Sequence, residues 1–313
     1  MKKILICGAT GFIGKNITLG LSKNKNYEIH AVRFKRPAYK TSGNVKWHKA
    51  DLRDPASVDK LIKNMDIVVQ AAATTSGSKD IVSKPHIHVT DNAVINSFIF
   101  RSAYTHEIKH FIFPSCTVMY PSSKKATKEN DFTGKIIDKY KGAGETKVYL
   151  EKIAKFYSML SKTKFTIIRH SNIYGPHDKY DLDKSHVFGA TITKVMKAKD
   201  DLEVWGDGSE IRDFLHAEDL VNFIKKAISK QKTQYEIYNC GSGKAITIKK
   251  LCNLIVKISK KTLKIKFNKN KPTIAFDMFL NCNKAKKELG WEPKIEIESG
   301  IKKTISWWIK NIK

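Results

Sequence analysis

Arginine is scarce in this chain. Of its 58 basic residues only six are arginine and the rest lysine, set against 30 acids for a formal net charge of +28 over 313 residues. Planar, bidentate recognition of bases and phosphates is arginine chemistry. The lysines are also spread along the whole chain instead of forming one block. The charge therefore reads as a compositional bias that suits an anionic nucleotide substrate, and no specific nucleic-acid partner is expected. Cysteine is sparse as well: Cys7, Cys116, Cys240, Cys252 and Cys282 are scattered with no C-x-x-C pair. That excludes a disulfide framework and a thiolate zinc site, so reduced thiols of a cytoplasmic protein and no metal are expected. No apolar run reaches membrane-spanning length, and Met1-Lys2-Lys3 leads straight into the first apolar segment, so neither a membrane span nor a signal peptide is expected. A Pro/Gly/Ser-rich linker and internal repeats are missing too. What remains is a globular composition, 41% apolar and 10% aromatic, long enough for one large or two intimate domains.

The most informative segment that is present is Lys3-Ile4-Leu5-Ile6-Cys7 followed by Gly8-Ala9-Thr10-Gly11-Phe12-Ile13-Gly14. A short buried strand turning through glycines into a helix is where a parallel α/β sheet holds the pyrophosphate of a dinucleotide. The second strand ends Val32-Arg33-Phe34-Lys35-Arg36, without the carboxylate that NAD-preferring sites place on the ribose hydroxyls. Arg33 and its basic neighbours suit the extra 2′-phosphate, so NADP(H) is favoured over NAD(H).

Strands and helices alternate along the first half. Strands are predicted at Ile4–Cys7, Glu28–Phe34, Val45–Lys49, Ile67–Gln70, Phe111–Phe113 and Phe165–Arg169, with helices at Phe12–Lys23, Ser57–Lys63, Thr90–His106 and Thr146–Ser161. This rhythm predicts an α/β fold with a doubly wound parallel sheet. Beyond Arg169 the pattern is irregular, with helices at Val187–Ala198, Ala217–Ser229, Ile248–Ser259 and Ile301–Ile309 and strands at Leu202–Trp205 and Ile237–Asn239. The expected division is residues 1–169 for the dinucleotide and a smaller α/β unit, 170–313, for the substrate, with some segments returning to the first. The helices around Phe98 and Phe156 are apolar on more than one face. A second apolar face must be covered, either within an unusually enclosed core or by another subunit.

The G-x-x-G-x-x-G spacing, the segment Asn172-Ile173-Tyr174-Gly175-Pro176 and the ending Leu289-Gly290-Trp291-Glu292-Pro293 resemble extended short-chain dehydrogenase/reductases of the NAD-dependent epimerase/dehydratase kind that act on nucleotide sugars. His177–Leu182, Ser185-His186-Val187, Val204–Gly208 and Arg212–His216 are most similar to the GDP-L-fucose synthase group. The resemblance covers nearly the whole chain and implies a Rossmann-type sheet, an epimerase or epimerase/reductase, and a homodimer joined through the helices around Phe98 and Phe156. The implied substrate is a GDP-linked 4-keto-6-deoxy hexose or a related sugar of surface polysaccharide precursors. The residues assigned to the dinucleotide are Gly8, Thr10, Gly11, Phe12, Ile13, Gly14, Arg33, Asp51, Leu52, Ala71, Ala72, Ala73, Lys147, His170 and Ile173. Those assigned to the sugar nucleotide are Ser115, Thr117, Asn172, His186, Lys194, Trp205 and Arg212, with His186 in the place of an epimerisation acid/base.

The departures from that pattern are local. Reductive members carry Tyr-x-x-x-Lys; here the lysine position is Lys147, but four residues earlier stands Ala143. The Ser/Thr position is Cys116, the epimerisation cysteine position is Val118, and His170 replaces a common proline. Proton transfer is therefore expected from Cys116, His186, Tyr140 or His170. Tyr140 is expected to swing in on a loop loosened by Gly142 and Gly144. The alternative is a non-catalytic NADP-binding protein of the same fold: a sensor, a partner subunit or an RNA binder.

Overall fold

The computed structural model describes residues 1–75, 78–271 and 273–312. The first half runs β1 (Lys2–Cys7), α1 (Phe12–Leu21), β2 (Tyr27–Arg33), β3 (Val45–Lys49), α2 (Pro55–Ile62), β4 (Ile67–Gln70), α3 (Ser78–Ser83), α4 (Thr90–Thr105), β5 (His110–Pro114), α5 (Lys141–Leu160) and β6 (Lys164–His170). The second half continues β7 (Asn172–Tyr174), α6 (Val187–Lys197), β8 (Asp201–Trp205), β9 (Ile211–Arg212), β10 (Phe214–His216), α7 (Ala217–Lys230), β11 (Tyr235–Cys240), β12 (Ile246–Thr247), α8 (Ile248–Ser259), β13 (Lys264–Asn268), α9 (Asn283–Leu289) and α10 (Ile297–Asn311).

Seven strands form one sheet in the order β11-β6-β5-β4-β1-β2-β3, every pairing parallel. The order reverses direction between β1 and β4, and the carboxyl ends at such a switch point open the crevice in which this architecture takes its ligands. On one face Ile4, Ile6, Ile29 and Ala31 pack against Ile17 and Leu21 of α1 and Leu220, Val221 and Ile224 of α7. On the other, Leu5, Val68, Phe111 and Phe113 pack against Ile99 and Phe100 of α4 and Leu150 and Ala154 of α5. A third cluster is built wholly from residues beyond 170: Tyr174, Phe188, Ile192, Leu251, Ile255, Ile301 and Trp308. The first core, in contrast, takes in α7, β11 and Trp291, so segments of the second half do return to the sheet.

Two expectations are corrected. Helix α5 begins at Lys141, five residues before the predicted start, and Gly142 and Gly144 lie inside it. They are not a flexible loop. A Cβ on Gly144 would come within 2.8 Å of Ile136 Cγ2, so this glycine serves close packing and not mobility. Helix α9 and strand β13 were not foreseen. The latter reads Lys-Ile-Lys-Phe-Asn and pairs in parallel with β8, outside the main sheet.

Candidate active site

The dinucleotide cradle forms where β1 turns into α1. Gly8 has φ +72°, and a Cβ there would lie 2.6 Å from Ala72 Cα, on the loop after β4. A Cβ on Gly14 would lie 2.2 Å from the Gly8 carbonyl oxygen. The turn can therefore exist only with glycine at both positions, and it brings Ala71 and Ala72 against the loop. Helix α1 starts at Gly11 with no side-chain cap, which leaves its first amides open to an anion. Tyr39 Oη donates to the Ala9 carbonyl at 3.0 Å, and Arg36 Nη1 to the Thr10 carbonyl at 3.2 Å. Among the basic residues after β2 it is thus Arg36 that is seen bonded to the glycine loop. Arg33 ends β2, its carbonyl held by the Ala50 amide at 3.0 Å. The Asp51 carboxylate is bound by its neighbour Arg53 at 2.7 Å, which holds its pKa below the usual range. An uncapped helix behind a turn that any Cβ would fill fits a dinucleotide.

The cleft floor lies at the carboxyl ends of β5 and β6. Lys147 Nζ donates to the Pro114 carbonyl at 3.2 Å and sits 4.5 Å from the Phe113 ring centre. Burial lowers its pKa, while the neighbouring Cys116 and Glu151 favour its charge. Cys116 faces it; burial raises the thiol's pKa against the pull of Lys147, so the sulfur stays protonated at neutral pH. His170 is held through Nδ1, 2.8 Å from the Ser171 carbonyl oxygen, which requires the hydrogen on Nδ1 and leaves Nε2 as the acceptor. Burial lowers its pKa to about 4, so the ring is neutral. The Tyr140 ring packs edge-on to Phe276 at 5.4 Å. Burial raises the pKa of its phenol, against the pull of the Arg212 charge nearby. Tyr140 stands just before α5, seven residues ahead of Lys147, and packs with the apolar cluster that contains Tyr120 and Phe276. Ala143 lies between Tyr140 and Lys147 with no phenol of its own.

Ser115 departs from its assignment. It is 1% exposed, and its hydroxyl donates to Glu151 Oε1 at 2.6 Å. Glu151 in turn pairs with Arg169 at 2.7 Å, both side chains enclosed, and Arg169 Nη1 donates to Tyr120 Oη at 3.0 Å. Ser115 thus belongs to a buried network that braces the Cys116 loop. Sequence reasoning missed the Glu151–Arg169 pair; its one signal was Glu151 standing one helical turn after Lys147. Thr117 is largely buried beside the same loop. Ile173 packs into the first apolar core.

The second half supplies the opposite wall. His186 caps the start of α6 without a side-chain bond. Its side chain is exposed to solvent. Partial desolvation by the protein around it, with Lys179 and His170 nearby, lowers its pKa to about 4. Asn172 donates through Nδ2 to the Asp213 carbonyl at 3.1 Å. Trp205 stands outside the apolar clusters between two ammonium groups, Lys194 at 5.2 Å and Lys271 at 5.9 Å from its ring centre. Arg212 spends its guanidinium on the carbonyls of Ile211, Ile274 and Phe276. The cleft is thus lined by Cys116, Lys147 and His170 on one side and His186 on the other.

Residues 4–241 match the sequence profile of the NAD dependent epimerase/dehydratase family. The chain belongs to that family. It is an NAD(P)-dependent enzyme of the extended short-chain dehydrogenase/reductase type. Among its relatives, GDP-L-colitose synthase of Yersinia pseudotuberculosis is 28% identical over 98% of both chains. GDP-L-fucose synthase of Azorhizobium caulinodans is 26% identical over 98% of this chain and 96% of that one. The crystal structure of UDP-glucose 4-epimerase from Thermotoga maritima with UDP-glucose superposes with a TM-score of 0.88 at 24% identity, covering 99% of this chain and all of the other. That likeness bears on the fold alone. Among the described residues no helix is long and apolar enough to cross a membrane.

Proposed function

We propose that this enzyme epimerises a GDP-linked 4-keto-6-deoxy hexose, with or without subsequent reduction, as a step toward surface polysaccharide precursors. What supports the reading is a protonated thiol, Cys116, beside Lys147 at the carboxyl end of β5, with His170 between that lysine and the neutral imidazole of His186. The GDP-sugar names of the relatives support the choice of nucleotide. A carbonyl at C4 acidifies the protons at C3 and C5, so inversion there needs one group to take a proton and one to return it on the opposite face. The neutral His186 ring has a lone pair to take the proton. The Cys116 thiol has a proton to give, and the Lys147 ammonium beside it stabilises the thiolate left behind. Tyr140 adds a second neutral donor toward Arg212. A dinucleotide would be held by the glycine turn, the first amides of α1, Arg36 and Lys147, and when bound it supplies hydride exchange at the sugar carbon. With no carboxylate at the end of β2, the Asp51 carboxylate after β3 taken by Arg53, and Arg36 on the glycine loop, NADP(H) is the preferred form. We place the enzyme in the cytoplasm, on its five free cysteines, and as a homodimer.

The deciding experiment incubates the protein and NADPH with GDP-, UDP-, CDP- and dTDP-linked 4-keto-6-deoxy sugars in deuterated water, read by NMR and mass spectrometry. Deuterium at C3 or C5 of the GDP-sugar is the expected result. Absence of exchange and turnover with every sugar would favour a non-catalytic NADP-binding role, consistent with Ala143 in place of the family's tyrosine.

A further inference from the structure

A feature outside these assignments ties the two halves together across the cleft mouth. Lys179, in the segment between β7 and α6, sends its Nζ to the Thr75 carbonyl at 2.8 Å and to Thr75 Oγ1 at 2.9 Å, on the loop after β4. That loop is itself pinned: Asn92 Oδ1 accepts from the Thr74 amide at 2.9 Å and Asn92 Nδ2 donates to the Thr74 carbonyl at 3.1 Å. Nearby, Asn16 Nδ2 of α1 donates to the Pro176 carbonyl at 2.9 Å, a second tie between the halves. Both acceptors of Lys179 among the described residues are neutral oxygens of Thr75, whereas an ammonium has three hydrogens and a full charge to satisfy. The charges around it are mostly of its own sign: Arg36 and Lys184 both oppose its protonation. The neighbouring carboxylate, Asp178, accepts from the Lys179 amide at 2.7 Å and is raised to about 7 by burial, so it is only partly ionised at neutral pH. A half-buried ammonium among like charges, on neutral acceptors only among the described residues and in a segment tied to α1 through Asn16, is short of an anion.

We propose that Lys179 is a diphosphate ligand, and that it and Arg36 close over a bound nucleotide from opposite walls of the cleft. A diphosphate carries several acceptor oxygens and enough charge for both cations at once. Two ligands bring that group: the dinucleotide and the nucleotide sugar. Arg36 is bonded to Thr10 of the glycine loop and Thr75 follows β4, a placement that favours the dinucleotide. The proposal rests on the nucleotide-binding reading above but not on turnover, and its test reads binding alone.

The intact protein and the variants Lys179→Met and Lys179→Arg are titrated with NADPH by nicotinamide fluorescence and with GDP by calorimetry, with thermal melting of each as a control. Loss of one charge-assisted bond should weaken NADPH binding by roughly tenfold or more in Lys179→Met. Lys179→Arg should stay within about threefold of the parent, and GDP binding should be unchanged. The salt dependence of NADPH binding should also become shallower in the methionine variant. Weakened GDP binding with intact NADPH binding would keep Lys179 as a diphosphate ligand and move it to the nucleotide sugar. Parent-like binding of both ligands by Lys179→Met would overturn the proposal. So would equal losses in the Met and Arg variants accompanied by a lowered melting temperature, which would mark a purely structural lysine. Lys179→Gln replaces the methionine variant if that one does not fold.

Discussion

At the scale of the residue, charge state decides what each cleft group can do. His186 and His170 are neutral at pH 7 because desolvation lowers both to about 4, and Cys116 is protonated because burial raises it. If His186 takes the proton, the acid limb of kcat/KM should lie near pH 4 and not near the ordinary 6.5 of histidine. A pH profile of exchange at the sugar carbons checks this. His186→Asn and Cys116→Ala should each slow exchange by about a hundredfold or more, with nucleotide binding nearly unchanged. Full activity in either variant would remove that residue from the proposed pair. A different histidine governs stability. His110 is buried in β5 with Nε2 2.7 Å from Thr166 Oγ1. Since the Thr166 hydroxyl gives its own hydrogen to Gln231 Oε1, the imidazole must be the donor. Burial lowers its pKa to about 3, so between about 3 and 6.5 the unfolded chain binds a proton that the folded chain refuses. Stability from this group is full above pH 6.5 and is lost as pH falls toward 3. Urea denaturation across that range should show the decline, and His110→Asn should flatten it.

At the scale of the element, glycine plays two roles that the sequence alone does not separate. In α1 a Cβ at Gly14 would meet backbone, the Gly8 carbonyl oxygen at 2.2 Å; in α5 a Cβ at Gly144 would meet a side chain, the Cγ2 methyl of Ile136 at 2.8 Å. Gly14→Ala should therefore destabilise the protein by about 2–4 kcal/mol and abolish dinucleotide binding. Gly144→Ala should cost about 1 kcal/mol or less, because alanine's gain in helix propensity offsets the repacking. Denaturant titration of both variants checks the order. Asp54 shows an element boundary that local chemistry does specify. It caps α2 by accepting from the Ala56 and Ser57 amides, with Pro55 at the first helical position.

At the scale of the whole molecule, α4 and α5 pack side by side on the sheet and still leave apolar surface uncovered. Tyr149, Phe156, Met159 and Leu160 of α5 are 46–68% exposed, and Tyr104 of α4 lies alongside. Such a patch marks an association surface, here a face that a second copy of the chain would cover. Light scattering should give about twice 35.6 kDa, and Phe156→Lys with Met159→Lys should give a monomer. A monomeric parent protein would show that this face stays open. The +28 charge should yield only weak nucleic-acid binding that falls steeply with salt, through counterion release. A complex surviving physiological salt would show recognition that the lysine-rich surface does not explain.

What the sequence determined by itself is what short-range physics dictates. The buried strand, the glycine turn and the β-α rhythm were legible because each depends on neighbours within a few residues, and the parallel sheet follows from their repetition. The missing phenol at Ala143 and the thiol at Cys116 were legible for the same reason, as substitutions inside a local pattern. Tertiary structure decided what depends on distant partners. It drew Gly142 and Gly144 into a helix that packs closely on Pro85 and Val89 at the first and on Ile136 at the second, and it turned Ser115 inward because Glu151 and Arg169 form a buried pair behind it. It also paired β13 with β8, and it set Arg36, not Arg33 alone, against the glycine loop. Lys179, one among 52 lysines, had no signal in its own segment. Its partner Thr75 lies 104 residues away, and only folding brings an ammonium from one half onto a carbonyl of the other.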